Sequence, residues 1–248
     1  MNDPLLIVGG GQAGFSVASK LRKMGDERPI TIISDEIFPP YQRPPLSKKY
    51  LLGDIEKERL FFRPSNWYQK NNVSLRLEAP LGAILPKDKT VQLETGENLK
   101  YQKLVLTMGA RALTLPEPLG GHHRGIYSIR TLSDVDMIKD EFQPRRTLLV
   151  VGGGYVGLEA ASIASKLGLR VIVIEKEDRI LKRVAAIATS DYFRELHVSK
   201  GVQIHESTSL IKLIGKGGRV TNAVLSSGEN VEVDFVICGI GIKPNDEL

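Results

Sequence analysis

The sequence predicts an α/β protein of two homologous lobes, each built on a parallel sheet, and three observations carry that expectation. The segment Leu5-Leu6-Ile7-Val8-Gly9-Gly10-Gly11-Gln12-Ala13-Gly14 returns as Leu148-Leu149-Val150-Val151-Gly152-Gly153-Gly154-Tyr155-Val156-Gly157. A second pair runs from Gly96-Glu97-Asn98 to Gly109 and, without a gap, from Gly228-Glu229-Asn230 to Gly241. Short apolar runs also alternate with helical patterns, which is how strands joined by crossover helices read in a sequence.

In chain order, Leu5 to Val8 is an apolar strand, and the glycine turn after it opens a helix whose apolar side carries Val17, Ala18 and Leu21. The β-branched run Ile30 to Ile33 is the next strand and ends at Ser34-Asp35. Residues 39–51 form a proline-stiffened loop leading into a helix, and Trp67 and Tyr68 fall on a further helix, where packing is their expected role. The turn at Gly96 joins two short strands and the chain then enters the apolar strand Leu104 to Leu106. These elements make a first lobe over residues 1–112. Residues 113–144, rich in Pro, Gly and His with a short polar helix around Leu132 to Phe142, form a crossing linker. The second lobe, 145–241, repeats the order: strand, glycine turn, helix, strand Val171 to Ile174 ending in Glu175, turn at Gly228, strand Phe235 to Cys238. Residues 242–248 begin a return towards the first lobe.

The bulk numbers fit this plan. Its 248 residues suffice for two domains, and 42% hydrophobic with 25% charged residues is the balance of a chain that folds in water. A net charge of +5 from 34 basic and 29 acidic residues, with no run of one sign, argues against nucleic-acid binding. No apolar stretch approaches the ~20 residues that span a bilayer, and no export signal precedes Leu5. Cytoplasmic location is therefore the expectation. Cys238 is the single cysteine and excludes an internal disulfide; His122, His123, His197 and His205 are too dispersed for a metal set, with His122-His123 expected in solvent.

The glycine turns carry the chemistry. In each lobe the first glycine (Gly9, Gly152) makes the tight turn, the second (Gly11, Gly154) lets the backbone approach a pyrophosphate, and the third (Gly14, Gly157) lets helix and strand pack closely. The helix N-terminal amides then face the phosphates. Asp35 and Glu175 end the following strands, where a carboxylate accepts hydrogen bonds from an adenosine ribose. An acid at Glu175 favours NAD over NADP by repelling the 2′-phosphate, although Arg179, Lys182 and Arg183 lie close enough downstream to soften that preference.

The segment Pro39-Pro40-Tyr41-Gln42-Arg43-Pro44-Pro45-Leu46-Ser47-Lys48-Lys49-Tyr50-Leu51 resembles the signature of oxygenase-coupled, FAD-dependent NADH:ferredoxin and rubredoxin reductases. The resemblance continues through Arg63-Pro64, Leu104 to Arg111, Ile129 to Leu132, Gly152 to Ala160 and Gly239 to Asn245. It implies two Rossmann-like lobes of the glutathione-reductase type, one for FAD and one for NAD. It further implies that Gly9, Gly11, Ala13, Gly14 and Asp35 hold the ADP part of FAD. Arg43, Lys48, the Leu81 backbone, Gly109 and Arg130 would contact its other parts. Gly152, Gly154, Tyr155, Val156, Gly157 and Glu175 belong to the NAD site in this reading, and Gly241 leaves room for the nicotinamide. In such enzymes the lysine matching Lys48 sits by the reactive edge of the isoalloxazine and pairs with the glutamate matching Glu159, a cation that stabilises the reduced flavin electrostatically. The implied reaction passes electrons from NADH through FAD to a [2Fe-2S] ferredoxin or a rubredoxin.

Two departures stand out. The family's Ala-Thr-Gly reads Thr107-Met108-Gly109, so a methionine replaces the usual threonine. The chain also ends at Leu248, before the family's second FAD segment and its C-terminal interface domain, so weak FAD retention and little turnover are expected. The alternatives are a nucleotide-binding module without catalysis and an NADH oxidase or apoptosis-inducing-factor-like flavoprotein.

Overall fold

A computed structural model describes residues 4–247. By their contacts the described residues fall into two units: 4–43, 55–111 and 244–247 in the first, 44–54 and 112–243 in the second. The segment 44–54 thus belongs to the second unit although its neighbours on both sides belong to the first.

In the first unit four parallel strands lie in the order Val73–Arg76, Ile30–Ile33, Leu5–Val8, Lys103–Leu106. The alternation of side chains along a strand decides the two faces. Leu5 and Ile7 pack with Phe15, Ala18 and Tyr68 beneath the helices Gln12–Lys23 and Ser65–Lys70. Leu6 and Val8 point the other way, into a cluster with Val91, Leu93 and Tyr101. That face is covered by an antiparallel sheet of Leu81–Leu85, Thr90–Leu93 and Asn98–Lys100. A strand covered on both sides must be apolar at every position, and Leu5 to Val8 is.

The second unit repeats this pattern on five parallel strands in the order Gln203–His205, Arg170–Ile174, Thr147–Val151, Phe235–Cys238, Ile126–Tyr127. The last comes from the 113–144 segment, which therefore contributes a strand to the sheet. Leu149, Val151, Ile172, Ile174 and Val236 pack under the antiparallel strands Leu210–Lys216, Arg219–Leu225 and Asn230–Glu232. The helix Tyr155–Lys166 lies on the sheet, and its fully buried Ala160, Ala161 and Ala164 allow close approach. The short helix of the crossing segment spans Leu132–Ile138 and continues as the 3-10 turn Lys139–Glu141. Its start is set by Thr131, whose hydroxyl accepts from the Asp134 amide while Asp134 accepts from the Thr131 amide. Among the described residues no helix is long and apolar enough to cross a membrane.

Candidate functional site

The two glycine turns are superposable in their constraints. Gly152 has φ +107°, and a Cβ there would lie 2.5 Å from the Gly239 carbonyl oxygen; at Gly157 a Cβ would lie 2.3 Å from the oxygen of Gly152. In the first unit Gly9 has φ +113° and a Cβ would meet the Thr107 oxygen at 2.1 Å, while Gly14 meets the Gly9 oxygen at the same distance. Those four glycines are needed by the fold itself. Gly11 and Gly154 are different: a Cβ added at either meets nothing within 4 Å. Each is the N-cap of the helix that follows, and neither helix has a side-chain cap or an acidic residue in its first turn. The uncapped amides therefore face open space, the arrangement that receives an anion. Ala13, exposed on the first turn of its helix, flanks one of these openings.

In the second unit the opening continues into a cavity of about 420 Å³, lined by Gly152 to Tyr155, Glu175, Leu115, Ile240 and the cations Lys176, Lys182 and Arg183. Glu175 sits at the end of Arg170–Ile174 with one carboxylate oxygen accepting from the Gly153 amide at 2.7 Å and the other from the Glu177 amide at 2.9 Å. Of the three cations expected to soften its preference, Arg179 is turned away. It donates to the Ala185 carbonyl at 3.0 Å and to Ser190 Oγ at 2.5 Å. Lys182 is paired with Glu177 and Asp178 at 3.1 and 3.2 Å, and it lines the cavity together with Arg183.

Lys48 and Glu159 meet within the second unit, Nζ to Oε1 at 2.6 Å. Ser47 donates from Oγ to the other oxygen, Oε2, of the same carboxylate. Ser47 ends the 3-10 turn Pro44–Ser47, and the segment is anchored by the buried Leu46, Tyr50 and Leu51. The Tyr50 hydroxyl donates to Asp136 at 2.6 Å, and Lys139 Nζ lies 3.4 Å from the centre of its ring. Ser47 carries no signal in the sequence beyond its position beside Lys48; a hydrogen bond across 112 residues becomes visible only in three dimensions.

The remaining expected residues divide between the units. In the first, Asp35 is exposed just beyond Ile30–Ile33, and Leu81 opens the strand Leu81–Leu85. Arg43 donates to Glu36 at 2.5 Å and to the Tyr41 hydroxyl at 3.3 Å, so a carboxylate neighbour compensates its charge. Gly109 accepts from the Asn245 amide at 3.0 Å, and the Asn245 side chain donates to the Met108 carbonyl at 2.9 Å. Met108 packs against the Leu6 cluster, and the hydroxyl of Thr107 donates to Val8 and Gly9 carbonyls. In the second, the Arg130 amide donates to Asp134 at 2.9 Å, Gly241 has φ +126° and accepts from the Leu113 amide at 3.0 Å. Tyr155 lines the cavity, whereas Val156 is exposed beside it on the same turn.

Cys238 is buried in its strand, and burial pushes its thiol up to about 12. Of the histidine pair, His122 is exposed but His123 is half-buried, where the glycine-rich context led one to expect solvent. Its Nδ1 is buried without a hydrogen-bond partner, and its ring fills the space that a Cβ at Gly215 would need. The glycines around it leave room for the ring instead of exposing it.

The family model described as pyridine nucleotide-disulphide oxidoreductase matches residues 3–248. A probable ferredoxin reductase of Castellaniella defragrans is 37% identical over 247 residues, covering 100% of this chain and 60% of its own. Rhodocoxin reductase of Rhodococcus erythropolis is 36% identical, covering 98% of this chain and 57% of its own. Among solved structures, the covalent complex of putidaredoxin reductase with putidaredoxin matches with a TM-score of 0.96 at 35% identity, over 100% of this chain and 60% of that one. The chain thus spans about three fifths of the length of the relatives it matches.

Proposed function

Because the chain belongs to the pyridine nucleotide-disulphide oxidoreductase family, we propose that it serves a flavoprotein reductase that passes electrons from NADH through FAD to a ferredoxin or rubredoxin supplying an oxygenase. The observation that carries the reading is the pair of uncapped glycine turns, open at Gly11 and Gly154 where every other motif glycine is filled by backbone. A ligand whose phosphates sit on a helix N-terminus fits that opening, and a pyrophosphate is such a ligand. The first turn, with Ala13 and Asp35, is assigned to FAD, with Arg43, Leu81, Gly109 and Arg130 as further contacts. The second, with Tyr155, Val156, Glu175 and Gly241, is assigned to NADH.

FAD, when bound, supplies the step from a hydride to single electrons. The chain's own residues do the rest. Glu175 is held by two amides with its charge at the cavity wall, which disfavours a second phosphate on the ribose. Lys48 provides a fixed positive charge for the negative charge that accompanies hydride transfer, and Glu159 compensates it in the resting state. A cytoplasmic setting is part of the reading and suits a buried, reduced Cys238.

The test is a titration of the purified 248-residue chain with NADH, followed by fluorescence, together with its flavin absorbance before and after adding FAD. Saturable NADH binding, with weak flavin uptake and little bleaching by NADH, is expected of the 248-residue chain. NADH binding with no flavin uptake reduces it to a nucleotide-binding module. Failure to bind either coenzyme overturns it.

A further inference from the structure

The ion pair between Lys48 and Glu159 is weakly protected as it stands. The Lys48 side chain is 51% exposed and that of Glu159 29%. Pairs of this exposure hold little geometry by themselves, because a lysine must immobilise four torsions to stay in place. Ser47 is in the opposite situation: it is 5% exposed and ends a turn stiffened by two prolines. It has one side-chain torsion to fix before its hydroxyl can donate. Its proton goes to Glu159 Oε2 while Lys48 takes Oε1, so two consecutive residues hold the two oxygens of one carboxylate. A carboxylate held at both oxygens has its plane set as well as its position. The base of this clamp is itself anchored, since Leu46, Tyr50 and Leu51 are buried and Tyr50 is bonded to Asp136.

From this arrangement we infer that Ser47 is the positioning residue of the Lys48–Glu159 pair: it fixes the Glu159 carboxylate, and Glu159 in turn fixes the Lys48 ammonium. The inference rests on the proposed role of that pair in hydride transfer. It adds a residue that acts through Glu159. Removal of the hydroxyl leaves Oε2 free to rotate, and the exposed lysine follows it.

The experiment compares the full chain with Ser47→Ala, Glu159→Ala and the double variant. Three quantities are read in each: solvent exchange of the Lys48 ammonium protons by NMR, the NADH dissociation constant, and the rate at which NADH reduces FAD added in excess without oxygen. In the unsubstituted chain the Lys48 ammonium signal is protected. Ser47→Ala is expected to speed its exchange about tenfold and slow FAD reduction by about the same factor, the order lost when a charge-assisted contact no longer holds a reacting group. NADH affinity stays within about twofold, because the hydroxyl contributes to alignment and not to binding. In the Glu159→Ala background, which leaves Ser47 no side-chain acceptor there, Ser47→Ala changes nothing further, as a residue acting through Glu159 must. An unprotected Lys48 in the unsubstituted chain, an exchange rate unchanged by Ser47→Ala, or an equal effect of Ser47→Ala in both backgrounds overturns the inference. Absence of NADH binding and FAD reduction in the unsubstituted chain refutes the proposed function instead, and the exchange measurement still decides the role of Ser47.

Discussion

The carboxylate of Glu175 accepts the Gly153 amide at 2.7 Å, so the acid that ends one strand also braces the glycine turn that follows another. It thereby lies at the wall of the cavity that Arg183 and Lys176 also line. NADH is expected to bind tighter than NADPH. Glu175→Gln keeps one acceptor but removes the charge, and it is expected to shift the ratio of the two affinities by about tenfold towards NADPH, worth ~1.4 kcal/mol. Paired fluorescence titrations measure both; tighter NADPH binding in the unsubstituted chain refutes the assignment.

Two glycines two residues apart are expected to respond to alanine in opposite ways. Gly152→Ala forces a side chain into a φ of +107° and against the Gly239 oxygen, so it is expected to cost roughly 1–3 kcal/mol of stability. Gly154 has an ordinary φ of −82° and nothing within 4 Å of an added Cβ. Gly154→Ala should therefore melt as the parent does, yet lose about tenfold or more in NADH affinity by filling the approach to the pyrophosphate. Thermal melts and NADH titration of the two variants, side by side, separate the effects. A Gly154→Ala chain with full affinity would remove the pyrophosphate from that turn.

Glu141 joins the crossing segment to the second lobe's sheet. Its carboxylate accepts from Arg219 at 2.6 and 2.7 Å and from the Tyr127 hydroxyl at 2.6 Å, with Arg146 at 2.5 Å. Burial works to raise its pKa, but the hydrogen bonds from Arg219 and Tyr127 and the neighbouring positive charges prevail and hold it below the ordinary 4.5. A carboxylate depressed in the folded state contributes stability above its unfolded pKa and loses it as pH falls through the folded one. The melting temperature should therefore drop on acidification below about pH 4.5. Glu141→Gln should be less stable at neutral pH and show a shallower fall in that window. Melting temperature against pH from 3 to 7 is the measurement, and parallel curves for the two chains would contradict the assignment.

The Cys238 thiol, pushed up to about 12 by burial, stays protonated at neutral pH, and the thiol is not the nucleophilic form. A disulfide reagent is expected to label it slowly in the folded chain and at the ordinary rate in denaturant. Rapid labelling of the native protein, counted by mass, would show that the strand Phe235–Cys238 opens.

Much of the molecule is legible in the sequence because its rules are local. A four-residue run such as Leu5 to Val8, apolar at every position, belongs to a strand covered on both faces, and it occupies the centre of its sheet. Ile30 to Ile33 likewise begins and ends where its β-branched run does. The glycine spacing announces a turn, and backbone sterics alone dictate which of those glycines must be glycine. His123 was misread for a related reason: the glycines beside it promise a loop, but not which ring the loop will fold over.

By itself the sequence determined the duplication, the parallel sheets and the two glycine turns, since hydrophobic period and backbone strain act between neighbours along the chain. Only the tertiary structure decided which of Arg179, Lys182 and Arg183 reaches the cavity, and that Ser47 and Lys48 share the carboxylate of Glu159. Those choices depend on side-chain directions at contacts between distant segments. There a single hydrogen bond or ion pair settles the outcome, and no periodicity along the chain records it.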